Sequence, residues 1–174
     1  MDVRNRTWEE LKQAIVNKDC ILRYNSRHRR YNRLYETFIA FTASAGAFGY
    51  IINTILPLIS TILIGIVSVA KAIFPSLIQK EEELSDLDKI SDFYTKYLND
   101  LENLFYQFDN KIINENEAAG LFFKIKDKEI EQQTKMNKLI RRISSKEQSI
   151  LNQMSEDYLN KVYFKKYHKN ANNS

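Results

Sequence analysis

Two histidines, one cysteine and two knots of acid are the side chains of this 174-residue sequence that could do chemistry. His28 and His168 each lie in a basic run, and Cys20 has no second cysteine to pair with. Zinc needs three or four Cys, His or carboxylate ligands at short spacings, and no such spacing occurs. Neither a nucleophile elbow G-x-S-x-G nor the zinc motif H-E-x-x-H is present. Three of the four glycines sit in one apolar block, so a glycine-rich phosphate cradle has no material. The acids Glu115/Glu117 and Glu81 to Glu83 could act as general acid and base only if burial or a charged neighbour moved their pKa values. Their sequence surroundings are polar, which reads as solvated surface. The expectation is a protein with no catalytic residue, no cofactor and no metal.

The residues suggest one other kind of chemistry, the passage of ions. No charged side chain occurs between Glu36 and Lys71, a gap of 34 residues. One helix over residues 37–70 would be about 51 Å long, against about 30 Å of bilayer hydrocarbon. Asn53 and Pro57 fall at its midpoint, where a helix breaks. Two spans, over 38–52 and 58–78, joined by a turn near 53–57, fit that length. In the second span Thr61, Gly65, Ser68 and Ala72 are spaced by four, three and four, which puts them on one face. In the first, Thr42 and Gly46 are four apart, and Gly49 is four after Ala45. Small residues at that spacing let helices approach closely in lipid, so these positions are candidates for a packing seam or a pore lining. Lys71 either lines a wet path or reaches back to the headgroups, and its place near the polar exit favours the second.

The elements flanking the block would position it. Residues 1–36 hold nine Lys/Arg against five Asp/Glu, while 71–174 hold seventeen of each. Arg23, Arg27, Arg29, Arg30 and Arg33 cluster just before the apolar block, as the positive-inside rule expects of a cytoplasmic flank. Tyr24, Tyr31 and Tyr35 read as headgroup-level anchors. The same run could be an anionic-lipid or nucleic-acid patch, but membrane orientation explains it more simply and no direct nucleic-acid binding is expected. Thr7 and Glu10 have capping-box spacing ahead of the helical series Trp8, Leu11, Ile15 and Leu22. The apolar block starts too late and runs too long for a cleaved signal peptide.

After the block, Leu84, Leu87, Ile90, Tyr94, Leu98, Leu101, Phe105 and Phe108 keep a near-heptad step, predicting a helix over 81–108. A polar stretch, 114–120, reads as a break. Ser145 and Gln148 then offer a second cap before Ile150, Leu151, Met154, Tyr158, Leu159 and Val162. The aromatic stripe Phe93, Tyr94, Tyr97, Phe105, Tyr106 and Phe108 reads as core, wide enough to favour self-association into a homo-oligomer. The expected fold is an all-α membrane protein. It has an amphipathic basic helix over 1–35, a transmembrane helical hairpin over 36–79, a cytoplasmic helical bundle or coiled coil over 80–168, and a disordered tail over 169–174.

This order of parts resembles the bacterial SLATT family, two-helix membrane effectors of nucleotide-signalling defence systems. The resemblance rests on TWEELKQAI, on RYNSRHRRYNRLY entering the block, on ASAGAFG in the first span, and on a near-immediate second span with a helical tail. It covers residues 7–165 and carries no catalytic motif. It implies an antiphage effector in the bacterial inner membrane, where the two spans and the arginine cluster already set a multi-pass chain with both termini cytoplasmic. Such an effector oligomerises and forms a pore or disrupts the lipid bilayer when a regulatory partner encoded nearby senses infection. Two other classes fit the same residues: a membrane-anchored coiled-coil scaffold or adaptor, and a holin-like lysis protein. The long charged tail argues against a minimal holin.

Overall fold

The computed structural model describes residues 2–49, 62, 65–66, 68–69, 79–140 and 143–164. Every described element is helical. Helix α1 runs Val3–Gly49, α2 Glu81–Asp109, α3 Glu115–Asp127, α4 Glu129–Leu139 and α5 Ser145–Leu159, and a π-helical turn, Asn160–Phe164, follows α5. By their contacts the residues form two compact units, Met1–Tyr24 with Asp86–Ser174, and Asn25–Ser85.

Helix starts follow local chemistry. Asp2 accepts a hydrogen bond from the Asn5 backbone N–H at 3.2 Å and caps α1. The expected Thr7–Glu10 box does not form, because Asp2 caps the chain one turn earlier. Thr7 is buried inside the helix, its hydroxyl donating to the Val3 carbonyl at 2.8 Å. The polar stretch expected as a break is instead the opening of α3. The Asn114 side chain accepts from the Glu117 N–H at 3.0 Å, and the Asn114 N–H donates to Glu117 Oε2 at 3.1 Å, a complete capping box. The last cap uses Ser144, which accepts from the Glu147 N–H at 3.2 Å, one residue before the position expected.

Helix α2 ends in a Schellman motif. The Ile112 N–H donates to the Gln107 carbonyl at 2.9 Å and the Lys111 N–H to that of Phe108 at 3.0 Å. Lys111 takes the left-handed position, with φ of 57°.

In the first unit, Leu11, Ala14, Ile15 and Ile21 of α1 are buried, as are Leu87, Ile90, Tyr94, Tyr97, Leu98, Leu101 and Phe105 of α2. Phe122, Met136, Leu151 and Leu159 add the other helices to this core. The α2 residues recur every three or four positions, so one face carries the apolar load. Trp8 stands 5.6 Å from both Phe105 and Tyr163, tying the start of α1 to α2 and to the π-helical turn. Of the expected aromatic stripe, Tyr106 points to solvent.

In the second unit, polar side chains of α1 hold the segment that opens α2. Asn25 donates to the Leu84 carbonyl at 3.2 Å and Asn32 to the Gln79 carbonyl at 3.0 Å. Arg29 pairs with Glu81 at 2.9 Å.

The expected membrane spans are corrected here. Among the described residues, no helix is long and apolar enough to cross a membrane. Helix α1 has 47 residues, but charges recur along it up to Glu36. The transmembrane hairpin, the pore-forming assignment and the multi-pass inner-membrane localisation with cytoplasmic termini therefore do not hold for the described fold. The turn 53–57 and residues 50–52 of the first span lie outside the described residues, as does most of the second span.

Candidate functional site

Among the described residues, a group of ionisable side chains from α1, α2, α3 and α4 meets in the first unit. Glu129 opens α4 and is 1% exposed. A carboxylate so deeply buried needs partners, since an unpaired charge there is costly. Lys126, three residues back at the end of α3, supplies one at 2.5 Å and also reaches Glu10 of α1 at 2.7 Å. The Tyr94 hydroxyl donates to Glu129 at 3.1 Å, and the Tyr97 hydroxyl donates to Glu10 at 2.9 Å. Asn17 of α1 donates to the Tyr94 oxygen at 3.1 Å and is itself held by Gln13 at 2.8 Å. Helical spacing explains the layout, because Lys126/Glu129, Tyr94/Tyr97 and Gln13/Asn17 are pairs three or four apart, each presented on one face.

The electrostatics hold the protons of this cluster in place. Burial, then the nearby Glu129 carboxylate, holds the Tyr94 hydroxyl well above its ordinary pKa, and burial with Glu10 does the same for Tyr97. Burial alone would lower the Lys126 pKa, but its hydrogen bonds to Glu10 and Glu129 outweigh that and raise it. Both hydroxyls stay protonated and the ammonium stays charged near neutral pH, so none of the three is poised to transfer a proton there. Beside the cluster lies an open cavity of about 310 Å³, lined by Asn5, Arg6, Glu9, Glu10, Phe122, Phe123 and Lys126. The Arg6 guanidinium lies over both rings, 5.7 Å from Phe122 and 5.6 Å from Phe123. Among the described residues no group of three metal-ligating side chains occurs.

Of the residues singled out in the sequence, Arg23 is exposed and lies 2.8 Å from the Met154 sulfur. Arg27, Arg30 and Arg33 are exposed along α1, and Arg29 is paired with Glu81. Thr42, Gly46 and Gly49 lie on the α1 backbone. Gly65 and Ser68 are helical and exposed, and a Cβ at Gly65 would meet nothing within 4 Å. Thr61, Lys71 and Ala72 lie outside the described residues. Sequence reasoning missed Glu10, Lys126 and Glu129 as a group. Their only local signal is the Lys126/Glu129 spacing, common on any helix surface.

The second feature is a face of α1 in the second unit. Tyr31, Leu34, Phe38 and Phe41 are spaced by three, four and three, and are 50%, 60%, 38% and 70% exposed. That spacing is the a/d seam of a coiled coil. On α5, Ile150, Met154 and Tyr158 are also exposed, but Met154 meets Arg23, and the Tyr158 hydroxyl bonds Glu102 at 3.2 Å. The α1 row is the more open of the two. No protein-family model matches this chain, and neither a curated protein nor a solved structure matches it.

Proposed function

We propose that this chain is a non-enzymatic helical effector or adaptor, acting by protein contact in a bacterial defence system of the kind its sequence resembles. The observation that carries this reading is the exposed apolar row Tyr31, Leu34, Phe38 and Phe41 on α1. Large apolar side chains aligned on one helix face are costly to leave in water and favour docking. The chemistry-bearing side chains of the first unit support it from the other side. They bond one another in the Glu10–Lys126–Glu129 cluster and hold helices together. A regulatory protein encoded nearby is the natural trigger. A pore has no place in this reading, since the spans that would line it are corrected above.

The test is phage protection in cells carrying the chain with its genomic neighbours. Lys126→Arg and Glu10→Gln keep the shape of the cluster and remove its Lys- and carboxylate-specific chemistry. They should leave protection within about threefold, whereas loss of a general acid or base costs about a hundredfold or more. Leu34→Asp and Phe41→Asp should abolish protection at unchanged protein level. Loss in the first pair with retention in the second would favour an enzyme and sink the adaptor.

A further inference from the structure

We infer that α5 and its π-helical turn form a hinged arm, latched to the first unit by Tyr163 against Trp8 and Phe105. The arm opens without unfolding the rest of that unit. This conformational device goes beyond the adaptor reading and does not depend on it.

The arm is thinly attached. Helix α5 buries only Leu151, Ser155 and Leu159, spaced by four. Helix α2, by contrast, buries an apolar side chain on every turn from Leu87 to Phe105. Between α5 and α1 lies a cavity of about 210 Å³, with Glu9, Lys12 and Gln13 on one side and Asn152, Ser155 and Glu156 on the other. A polar cavity of that size admits water, so this part of the interface is not dry. The polar contacts of the arm are ones that water replaces at small cost. Ser155 donates to the Lys12 carbonyl at 3.1 Å, and the Tyr158 hydroxyl bonds Glu102 at 3.2 Å on the exposed surface.

The latch is aromatic. The Tyr163 ring meets Trp8 at 5.6 Å and Phe105 at 5.3 Å, both edge-on. Trp8 and Phe105 are themselves 5.6 Å apart, so the three rings close a triangle. Edge-on aromatic pairs attract beyond the area they bury. The π register delivers the third ring. In an α-helix, positions four apart drift by about 40° per step, and Tyr163 is three such steps from Leu151. The wider turn over Asn160–Phe164 offsets part of that drift and returns Tyr163 to the face of Leu151, Ser155 and Leu159.

The hinge is the connection over 140–144. Ile140 and Ser144 both have extended backbone, with ψ of 95° and 149°, and close the helices on either side. A swing there moves no other described helix and uncovers Trp8 and Phe105.

The test is hydrogen exchange of the full chain, read by mass spectrometry without urea and at low urea. Peptides from 145–164 should exchange together, at least about tenfold faster than those from 87–105 and with weaker urea dependence. Tyr163→Ala, which loses two ring contacts, should speed exchange over 145–164 by a further factor of about ten and leave 87–105 unchanged. Tyr163→Phe keeps the ring and should match the wild type. Trp8 is the only tryptophan, so its emission should shift to the red in Tyr163→Ala and not in Tyr163→Phe. Exchange of 145–164 in step with 87–105 overturns the proposal, because the arm then opens only when the whole unit unfolds. So does a Tyr163→Ala variant that speeds both regions equally, or one that leaves 145–164 unchanged. The wild-type comparison decides even if Tyr163→Ala does not fold.

Discussion

Lys126 and Glu10 lie 116 residues apart in sequence and meet at 2.7 Å, with the buried Glu129 on the other side of the same ammonium. Lys126 is therefore the only salt-bridge partner that the structure gives Glu129 among the described residues. Lys126→Met should destabilise the chain by about 2 kcal/mol, because it leaves the buried Glu129 carboxylate without its countercharge, an effect lessened by solvent reaching the one-third-exposed ammonium. Lys126→Met/Glu129→Leu should recover most of that loss, since an apolar pair of similar volume replaces the ions. Urea unfolding of the two variants checks both values. A double variant no more stable than the single would show that the cluster contributes through something other than charge compensation.

Alkaline pH should unlock the same cluster. Tyr94, Tyr97 and Lys126 all have folded-state pKa values raised above their ordinary 10.0 and 10.5. Above about pH 10 the unfolded chain releases these protons while the folded chain still holds them. The unfolded state then binds fewer protons, so stability falls as pH rises from there towards the folded-state values. Below pH 9 these groups contribute no slope. Unfolding midpoints measured from pH 8 to 11.5 should drop above 10, and Tyr94→Phe/Tyr97→Phe should flatten part of the drop. An unchanged profile in the double variant would place the alkaline transition elsewhere.

Lys111 is a non-glycine residue in the left-handed position that ends α2, with φ of 57°. A side chain costs about 1 kcal/mol there relative to glycine. Lys111→Gly should raise thermal stability by about that amount, and Lys111→Val should lower it, because a β-branched residue tolerates positive φ least. At the next helix, Asn114→Ala should cost about 1 kcal/mol by removing the acceptor for the Glu117 N–H. Thermal melts of the three variants test the caps directly.

Local spacing made parts of this chain legible in advance. The step of Leu87, Ile90, Tyr94, Leu98, Leu101 and Phe105 marked the buried face of α2, because a helix repeats within one or two turns. The polar run at 114–120 misled for a related reason. Polarity alone reads as loop, yet Asn114 and Glu117 are the two halves of a capping box. The charge-free run suggested membrane spans by length and composition. Among the described residues α1 carries charge as far as Glu36, and no helix is long and apolar enough to cross.

What the sequence by itself determined is helical period and the arginine cluster, both set by neighbours a few residues apart, while the row Tyr31, Leu34, Phe38 and Phe41 stands out only in the fold. Only the tertiary structure decided that this row faces solvent while Arg29 turns to Glu81. It also decided that Glu10, Tyr97, Lys126 and Glu129 form one cluster. Burial and long-range ion pairing depend on which helices pack together, and no periodicity within a single helix encodes that choice.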